Sequence, residues 1–310
     1  MVDALILKLF AFVLGALVVA TLGGLILRAR FGPTDAITNF QSRTNSWWVM
    51  VGILTVAMLA GKGVTVVLYA GLSAVALYEF LVLETDRRIN RVVIAAAFIV
   101  AIPVQYWLVW AEWYGLFAIF VPVYVFLLVA ILTVLSSKPE GFLARVAELQ
   151  WGLMLAVYAL SHVPALLFLN IPGFEGRSIL LLTFLVLVVQ ASDVSQYLWG
   201  KAFGRHKLAP AISPGKTVEG LVGGVATACV VGVFFDWLTP FTHLQAALMS
   251  LLIAGLGFFG GLVLSAIKRD RGVKDWGKII PGHGGILDRI DSLLFAAPIF
   301  FHFLRYWWSV

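Results

Sequence analysis

The sequence predicts an all-α integral membrane protein with about ten transmembrane helices. Of its 310 residues, 61% are hydrophobic and only 12% are charged, and the mean hydropathy is +0.98. A soluble domain carries about 25% charged residues, so this chain has too few charges to cover a soluble globule. Apolar runs of about 20 residues, enough to cross a bilayer as a helix, recur throughout. Because hydrocarbon offers the backbone no hydrogen-bond partners, such runs form helices.

Ten apolar runs define the predicted spans. The first is long and no small-residue cleavage site follows it, so we interpret it as an anchor rather than a signal peptide. The second is short and could form one re-entrant hairpin with the third. We place the spans at roughly 4–27, 47–61, 64–83, 92–110, 115–136, 150–169, 178–199, 219–238, 245–267 and 286–308.

The distribution of lysine and arginine predicts the orientation. With the N-terminus outside, eighteen of the 22 basic residues fall on the inner side and three on the outer side, while Lys8 lies within the first span. Loops rich in lysine and arginine remain in the cytoplasm. We therefore expect an outside N-terminus and cytoplasmic polar loops, in the inner (plasma) membrane of a bacterium.

Composition also excludes some functions. The net charge is +6 and the pI is about 9.5, but the basic residues do not form a soluble basic face, so we expect no nucleic-acid partner. The single cysteine, Cys229, lies in an apolar run and cannot form an intrachain disulfide.

Polar residues are concentrated in the C-terminal part of the chain. We divide the chain into N-terminal transmembrane helices at 1–175 and a C-terminal transmembrane region at 176–310, where we expect the chemistry. This second region contains two polar loops, at 190–220 and 265–292.

The first polar loop contains the elements of an anion site. A Pro-Gly-Lys-Thr run at 214–217 lacks the earlier glycine of a P-loop, because position 210 is Pro210, and a membrane helix replaces the required strand. The hydroxyls of Ser213 and Thr217, the charge of Lys216 and a helix N-terminus remain available for a phosphate. The alternative is that Thr217 only caps the next helix.

Asp193 is a candidate functional residue inside a predicted span. It lies six residues, about 9 Å, from the cytoplasmic end of that span. A carboxylate in the membrane is costly and usually functional. The simpler alternative is an interhelical hydrogen bond to a serine.

The second polar loop combines carboxylates, glycines and basic residues. Asp288 and Asp291 are three residues apart at a helix start, so both project from one face. A Pro-Gly-His-Gly-Gly turn at 281–285 precedes them, and five lysines and arginines lie between 268 and 278. Two carboxylates plus phosphate oxygens suit Mg²⁺, and glycines with basic residues suit a triphosphate. Helix-dipole partners, membrane anchors and a turn histidine are the alternatives for the separate parts.

Both loops resemble the signature of the phosphatidate cytidylyltransferase (CDP-diacylglycerol synthase) family. The resemblance covers about 190–292 in detail and the polytopic architecture loosely. In the second loop it rests on the spacing of Ser265, Lys268-Arg269, Lys274-Asp275, His283-Gly284-Gly285, Asp288-Arg289 and Asp291. In the first loop it rests on Asp193, Tyr197, Gly200, Gly204, Ser213-Pro214, Lys216-Thr217 and Glu219-Gly220.

The resemblance implies that CTP and phosphatidic acid give CDP-diacylglycerol and pyrophosphate, with Mg²⁺ as cofactor and a homodimer as the assembly. It implies catalytic roles for Asp288, Asp291 and Asp275, all as metal ligands, and for Lys216, Lys268 and Arg269, as phosphate neutralisers. The substrate-binding residues that it implies are Ser213, Thr217, Lys274, His283, Gly284, Gly285, Arg289 and Asp193.

The sequence departs from the family pattern at two acidic positions. The family has an aspartate and a glutamate where this chain has Gly261 and Leu264. Losing a carboxylate lowers the negative charge that holds a metal, and Asp193 is a candidate substitute. We therefore interpret the chain as a divergent member, which could bind one metal fewer, use another phosphorylated lipid, or have lost activity.

Two other classes of function stay open at this point. A transporter is motivated by Glu79, His162 and Asp193 within spans, although transporters usually show repeats and polar breaks in both halves. A catalytically inactive lipid- or nucleotide-binding protein is motivated by Gly261. We favour the enzyme because the phosphate-neutralising residues are retained.

Overall fold

The computed structural model describes residues 2–83, 90–136, 139–277, 279–280 and 284–310. Within these ranges the protein is almost entirely helical, as the sequence predicts. A small antiparallel hairpin in the first polar loop departs from this pattern, with Lys207 opposite Thr217 and Ala209 opposite Ser213.

The N-terminal half consists of apolar helices. Short π-helical segments join α4 to α5, α6 to α7 and α8 to α9, so each pair runs as one continuous helix. The bounds are α1 (Val2–Phe31), α2 (Asp35–Ala60), α3 (Lys62–Val82), α4 (Arg91–Ala96), α5 (Ile102–Trp110), α6 (Tyr114–Ile119), α7 (Phe126–Ser136), α8 (Phe142–Leu153) and α9 (Leu160–Ala165).

The C-terminal half contains longer helices and the hairpin. Their bounds are α10 (Ser178–Phe203), β1 (Lys207–Ala209), β2 (Ser213–Thr217), α11 (Val218–Phe234), α12 (His243–Asp270) and α13 (Leu287–Trp307).

Seven helices in the described part of the chain are long and apolar enough to cross a membrane. The remaining predicted spans fall on α2, α11 and α13, and α11 is apolar but has only 17 residues. These helices support an all-α membrane protein, while the number of ten spans and the orientation stay predictions. The seven are Val13–Phe31, Lys62–Val82, Arg91–Trp110, Tyr114–Leu135, Phe142–Phe168, Ser178–Phe203 and His243–Asp270.

α2 extends beyond the second predicted span. The sequence predicted a short span from 47, but the helix begins at Asp35 and has 26 residues. Thr34 caps it, because its hydroxyl accepts a hydrogen bond from the Ile37 amide at 3.4 Å. Apolar content alone marked the span, so the polar, capped first turns of this helix were missed.

Glycines on α11 allow its close packing against α10. A Cβ added to Gly220 would lie 2.8 Å from the Gln196 carbonyl oxygen, and one added to Gly224 would lie 2.9 Å from the Gln196 amide nitrogen. Small residues permit such close approach between membrane helices. This packing sets the first polar loop, which joins α10 to α11, close to the end of α12.

Both polar loops lie at the same end of the helix bundle. Arg269, at the end of α12, donates a hydrogen bond from Nε to the Ile212 carbonyl in the hairpin at 3.2 Å. Its Nη1 donates to the Val273 carbonyl in the second loop at 3.0 Å. Arg269 therefore links the two loops directly.

Candidate active site

Two carboxylates from different helices meet at a serine. The Ser292 hydroxyl donates to Oδ1 of Asp193, on α10, at 3.0 Å and lies 3.5 Å from Oδ1 of Asp291. The Ser292 amide also donates to Asp291 Oδ1 at 2.8 Å. The serine partner considered for Asp193 is therefore present, and it joins Asp193 to one of the predicted metal ligands.

Lys216 reaches this carboxylate pair from the hairpin. Its Nζ donates to the Phe258 carbonyl at 3.0 Å and lies 4.6 Å from the centre of the Phe258 ring. Burial lowers the pKa of the Lys216 ammonium, and the nearby carboxylates of Asp291 and Asp193 oppose that shift. A half-buried cation thus lies beside two half-buried acids.

Gly261 lies directly against this cluster. A Cβ added there would be 2.8 Å from Lys216 Nζ and 3.2 Å from Asp291 Oδ2. Leu264, at the other departure from the family pattern, is fully buried and belongs to the apolar core. The first departure therefore removes a side chain from the cluster itself, and the second replaces an acid by core packing.

Asp288 is engaged in a separate buried ion pair. Its Oδ1 lies 2.6 Å from Lys268 Nζ, and the two side chains are 5% and 12% exposed, respectively. Its Oδ2 accepts hydrogen bonds from the amides of Trp276 at 2.8 Å and Gly285 at 2.9 Å. Asp288 therefore ties the end of α12 and the second loop to the start of α13.

The glycine turn is shaped by neighbouring carboxylates. Gly284 has a φ of 84°, which favours glycine, and an added Cβ would lie 2.7 Å from Asp288 Oδ2. A Cβ on Gly285 would lie 2.6 Å from Glu79 Oε2. Their predicted contact with a nucleotide stays a prediction, and His283 falls outside the described residues.

Most of the remaining predicted residues of the second loop are exposed. Lys274, Asp275 and Arg269 are exposed, and the Asp275 Cβ would be 3.5 Å from a Cβ on Gly284. Arg289 is half-buried near Asp291 and Asp288. The structure thus places Asp275 beside the glycine turn.

In the first loop, Thr217 is the N-cap of α11. Its buried hydroxyl accepts a hydrogen bond from the Gly220 amide at 3.0 Å, so the capping role considered for it is confirmed. Ser213 begins β2 and is half-buried. Substrate binding by either hydroxyl stays a prediction.

The carboxylate pair is the best candidate for a magnesium site. Among the described residues, no group of three or more His, Cys, Asp or Glu side chains could hold a metal ion. Mg²⁺ commonly takes one or two carboxylates and completes its shell with water and substrate phosphates. Asp291 and Asp193 fit that requirement, while Asp288 already has three polar partners.

Glu79, which the sequence suggested only as part of a transport path, lies beside the candidate site. Its carboxylate accepts hydrogen bonds from the amides of Ile286 and Leu287, both at 2.9 Å. His162 instead packs between aromatic rings near the opposite end of α13, with its ring centre 5.0 Å from that of His302. Glu79 and His162 therefore contact opposite ends of α13.

Sequence comparison shows the family to which the chain belongs. Residues 41–307 match the model of the Cytidylyltransferase family, and the chain belongs to that family. It is 43% identical over 265 residues to "Uncharacterized protein YnbB" of Escherichia coli (strain K12), covering 85% of this chain and 87% of that protein.

Two enzymes named phosphatidate cytidylyltransferase are similar over a shorter region. Identity is 41% over 139 residues with the Bacillus subtilis (strain 168) enzyme, covering 44% of this chain and 51% of that enzyme. It is 46% over 128 residues with the Synechocystis enzyme, covering 40% of this chain and 43% of that enzyme. The matched region thus spans about half the length of each enzyme.

Proposed function

We propose that the protein transfers the cytidylyl group of CTP to the phosphate of phosphatidic acid, giving CDP-diacylglycerol and pyrophosphate. One observation carries the proposal: Asp193, Asp291 and Lys216 meet where the two polar loops come together. Membership of the Cytidylyltransferase family supports the reaction type. The similar enzymes named phosphatidate cytidylyltransferase support the lipid.

The chemistry requires little beyond alignment and charge neutralisation. An oxygen of the lipid phosphate attacks the α-phosphorus of CTP. As the new P–O bond forms, the bond from the α-phosphorus to the oxygen bridging it to the β-phosphorus breaks, and the electron pair leaves with pyrophosphate. The nucleophile is already an anion, so no activated serine or cysteine is needed. Holding two anions in line and stabilising the developing charge accounts for the catalysis.

Specific residues can meet these requirements. Asp291 and Asp193 would hold Mg²⁺, and Lys216 would contribute its ammonium to a phosphate oxygen beside them. Magnesium, when bound, neutralises the triphosphate and stabilises the departing pyrophosphate. Lys268, kept in place by Asp288 at 2.6 Å, would face the same phosphates from the end of α12.

The substrates also fit the expected orientation. Loops in the cytoplasm would take CTP from water and the lipid phosphate from the inner leaflet. A single cysteine introduced at Arg205 or Lys274, with Cys229 replaced by serine, tests the orientation. It should resist an impermeant thiol reagent in sealed cells and react after permeabilisation. Labelling in sealed cells would contradict the cytoplasmic placement.

Activity is tested with purified protein, labelled CTP and magnesium. The acceptors are phosphatidic acid, lysophosphatidic acid and phosphatidylcholine, which lacks a phosphate monoester. We expect a labelled CDP-lipid and pyrophosphate from phosphatidic acid, none from phosphatidylcholine, and none in EDTA. Transfer to lysophosphatidic acid alone would overturn the proposed acceptor, and CTP binding without transfer would overturn the proposed enzyme.

A further inference from the structure

Glu79, from the N-terminal half, holds the start of the helix that carries Asp288 and Asp291. We infer that Glu79 is a positioning residue for the active site, and this inference rests on the proposed cytidylyl transfer. Nothing in its local sequence marks it for this role, because its partners lie more than 200 residues away, at a separation of 207 for Ile286.

The contacts of Glu79 satisfy the first amides of α13. Oε1 accepts from the Ile286 amide and Oε2 accepts from the Leu287 amide, both at 2.9 Å. The helix has no side-chain cap of its own at its N-terminus. Because the first amides of a helix lack partners within the helix, they need an external acceptor. The 4%-exposed Glu79 supplies one oxygen to each of two amides.

The second loop is built closely around this carboxylate. A Cβ added to Gly277 would lie 2.8 Å from Glu79 Oε1, and one added to Gly285 would lie 2.6 Å from Oε2. Two glycines from different parts of the loop therefore contact one buried acid. Glu79 fixes the position of the turn as well as that of the helix.

The residue after Glu79 strengthens the same attachment. The Phe80 ring stacks on Trp276 with centres 5.3 Å apart and planes 21° apart. Arg271 also contacts the Phe80 ring, with its Cζ 4.7 Å from the ring centre. The Arg271 Nη1 donates a hydrogen bond to the Phe80 carbonyl at 3.0 Å. The last turn of α3 thus holds both the loop and the helix that follows it.

The consequence for catalysis is geometric. Asp288 directly follows Leu287, and Asp291 lies one turn later on the same helix. A shift at the helix start moves both carboxylates relative to Lys216 and Asp193, which are carried by other elements. Misplacement of about 1 Å can lower a rate by about a hundredfold.

The test compares Glu79→Gln with Glu112→Gln. Glutamine replaces one carboxylate oxygen by an NH₂ group. Where that oxygen now accepts a hydrogen bond from a backbone amide, two donors would then face each other, and that hydrogen bond would be lost. We expect kcat/KM for CTP to fall by about a hundredfold, with a raised KM for CTP and an unchanged KM for phosphatidic acid. Glu112 is exposed at the other end of the bundle, and its variant should behave as wild type.

A merely structural role would lower the amount of folded protein without changing KM. Glu79→Asp provides a second variant, because it keeps the charge and both oxygens but shortens their reach. We expect it to retain more activity than Glu79→Gln, with a KM for CTP between those of the glutamine variant and wild type. Equal KM values for CTP in all three proteins would overturn the inference.

A measurement independent of activity separates this inference from the proposed function. Hydrogen exchange at the amides of 286 and 287 should be faster in Glu79→Gln than in wild type or Glu112→Gln. If wild type transfers no cytidylyl group but exchange is faster, the proposed function fails and the positioning contact stands. If wild type is active and exchange is unchanged, Glu79 does not position the helix.

Discussion

The two polar loops are held in place in different ways. The first is braced by its neighbours in sequence: Glu219 accepts hydrogen bonds from the amides of Arg205 and His206 and from His206 Nδ1, the last at 2.6 Å. The second is braced across the chain by Glu79 and by Phe80. The first loop supplies Lys216 and Asp193 to the candidate site, and the second leads into the helix that carries Asp288 and Asp291.

The second loop depends on contacts with the N-terminal half of the chain. The chemistry-bearing residues cluster in the C-terminal half, so the sequence favoured a boundary near 175. The contacts of α3 with the second loop nevertheless make the N-terminal half a support for the site. Arg271 adds a second attachment through its Nη2, which lies 3.3 Å from Glu148 Oε1. The division at 175–176 stays a prediction about chemistry rather than about independent folding.

The largest expected effect concerns Asp291, at the end of the second loop. Asp291→Asn should lower cytidylyl transfer by at least about a hundredfold, because it removes charge that holds magnesium against the phosphates. The thermal unfolding midpoint should change little. Asp270→Asn, at the exposed end of α12, is the matched control. Near-normal turnover in Asp291→Asn would show that the second loop does not supply the metal ligand.

The next effect separates Asp288 from Asp291. Asp288→Asn should lower both activity and thermal stability, since Lys268 would be left buried without its partner at 2.6 Å. Breaking a buried ion pair in this way costs about 3–5 kcal/mol. The double variant Asp288→Asn with Lys268→Met should regain stability but not activity. Unchanged stability in the single variant would contradict the bracing role that we assign to Asp288.

Variants that loosen each loop separately should have a smaller effect on stability. Arg271→Ala should loosen the second loop and reduce stability by about 1–3 kcal/mol, because the side chain is only 8% exposed and donates to a buried carbonyl. Glu219→Gln should loosen the first loop alone and change stability less, since His206 is largely exposed. Hydrogen exchange in each loop measures both effects. Loosening of both loops by either variant would contradict separate bracing.

The smallest expected effect is a gain in magnesium affinity. Gly261→Asp should fold, because its Cβ meets the flexible end of Lys216 at 2.8 Å, and should add a carboxylate beside Asp291. We expect the magnesium concentration for half-maximal activity to fall by a factor of a few, less than about 1.4 kcal/mol of binding.

Gly260→Asp is the matched control for that variant. Its Cβ would meet the Asp291 carbonyl oxygen and the Phe295 ring, each at 2.9 Å, so it should destabilise the packing of α12 on α13. Gly261→Ala separates added bulk from added charge. A Gly261→Asp protein that unfolds, or that needs as much magnesium as wild type, would show that Gly261 serves packing alone.

The sequence by itself determined the class of protein and predicted the region of the site. The chain has long hydrophobic runs and few charges, which indicates that these runs lie in a membrane. Because the backbone must satisfy its own hydrogen bonds there, the runs form helices. The residues of 190–292 include the carboxylates, cations and hydroxyls from which we predicted phosphate and metal binding. Their identities and spacings were therefore sufficient to indicate cytidylyl transfer before any contact was known.

Only the tertiary structure decided which of these residues act together. Asp193 joins Asp291 through Ser292, Lys216 fills the space beside Gly261, and Asp288 pairs with Lys268. Glu79 caps α13 from the other half of the chain. These partnerships join residues on separate helices, so they depend on how the helices cross and how closely their glycines allow them to approach. Spacing along one element fixes which face a side chain occupies, but packing between elements fixes what it meets.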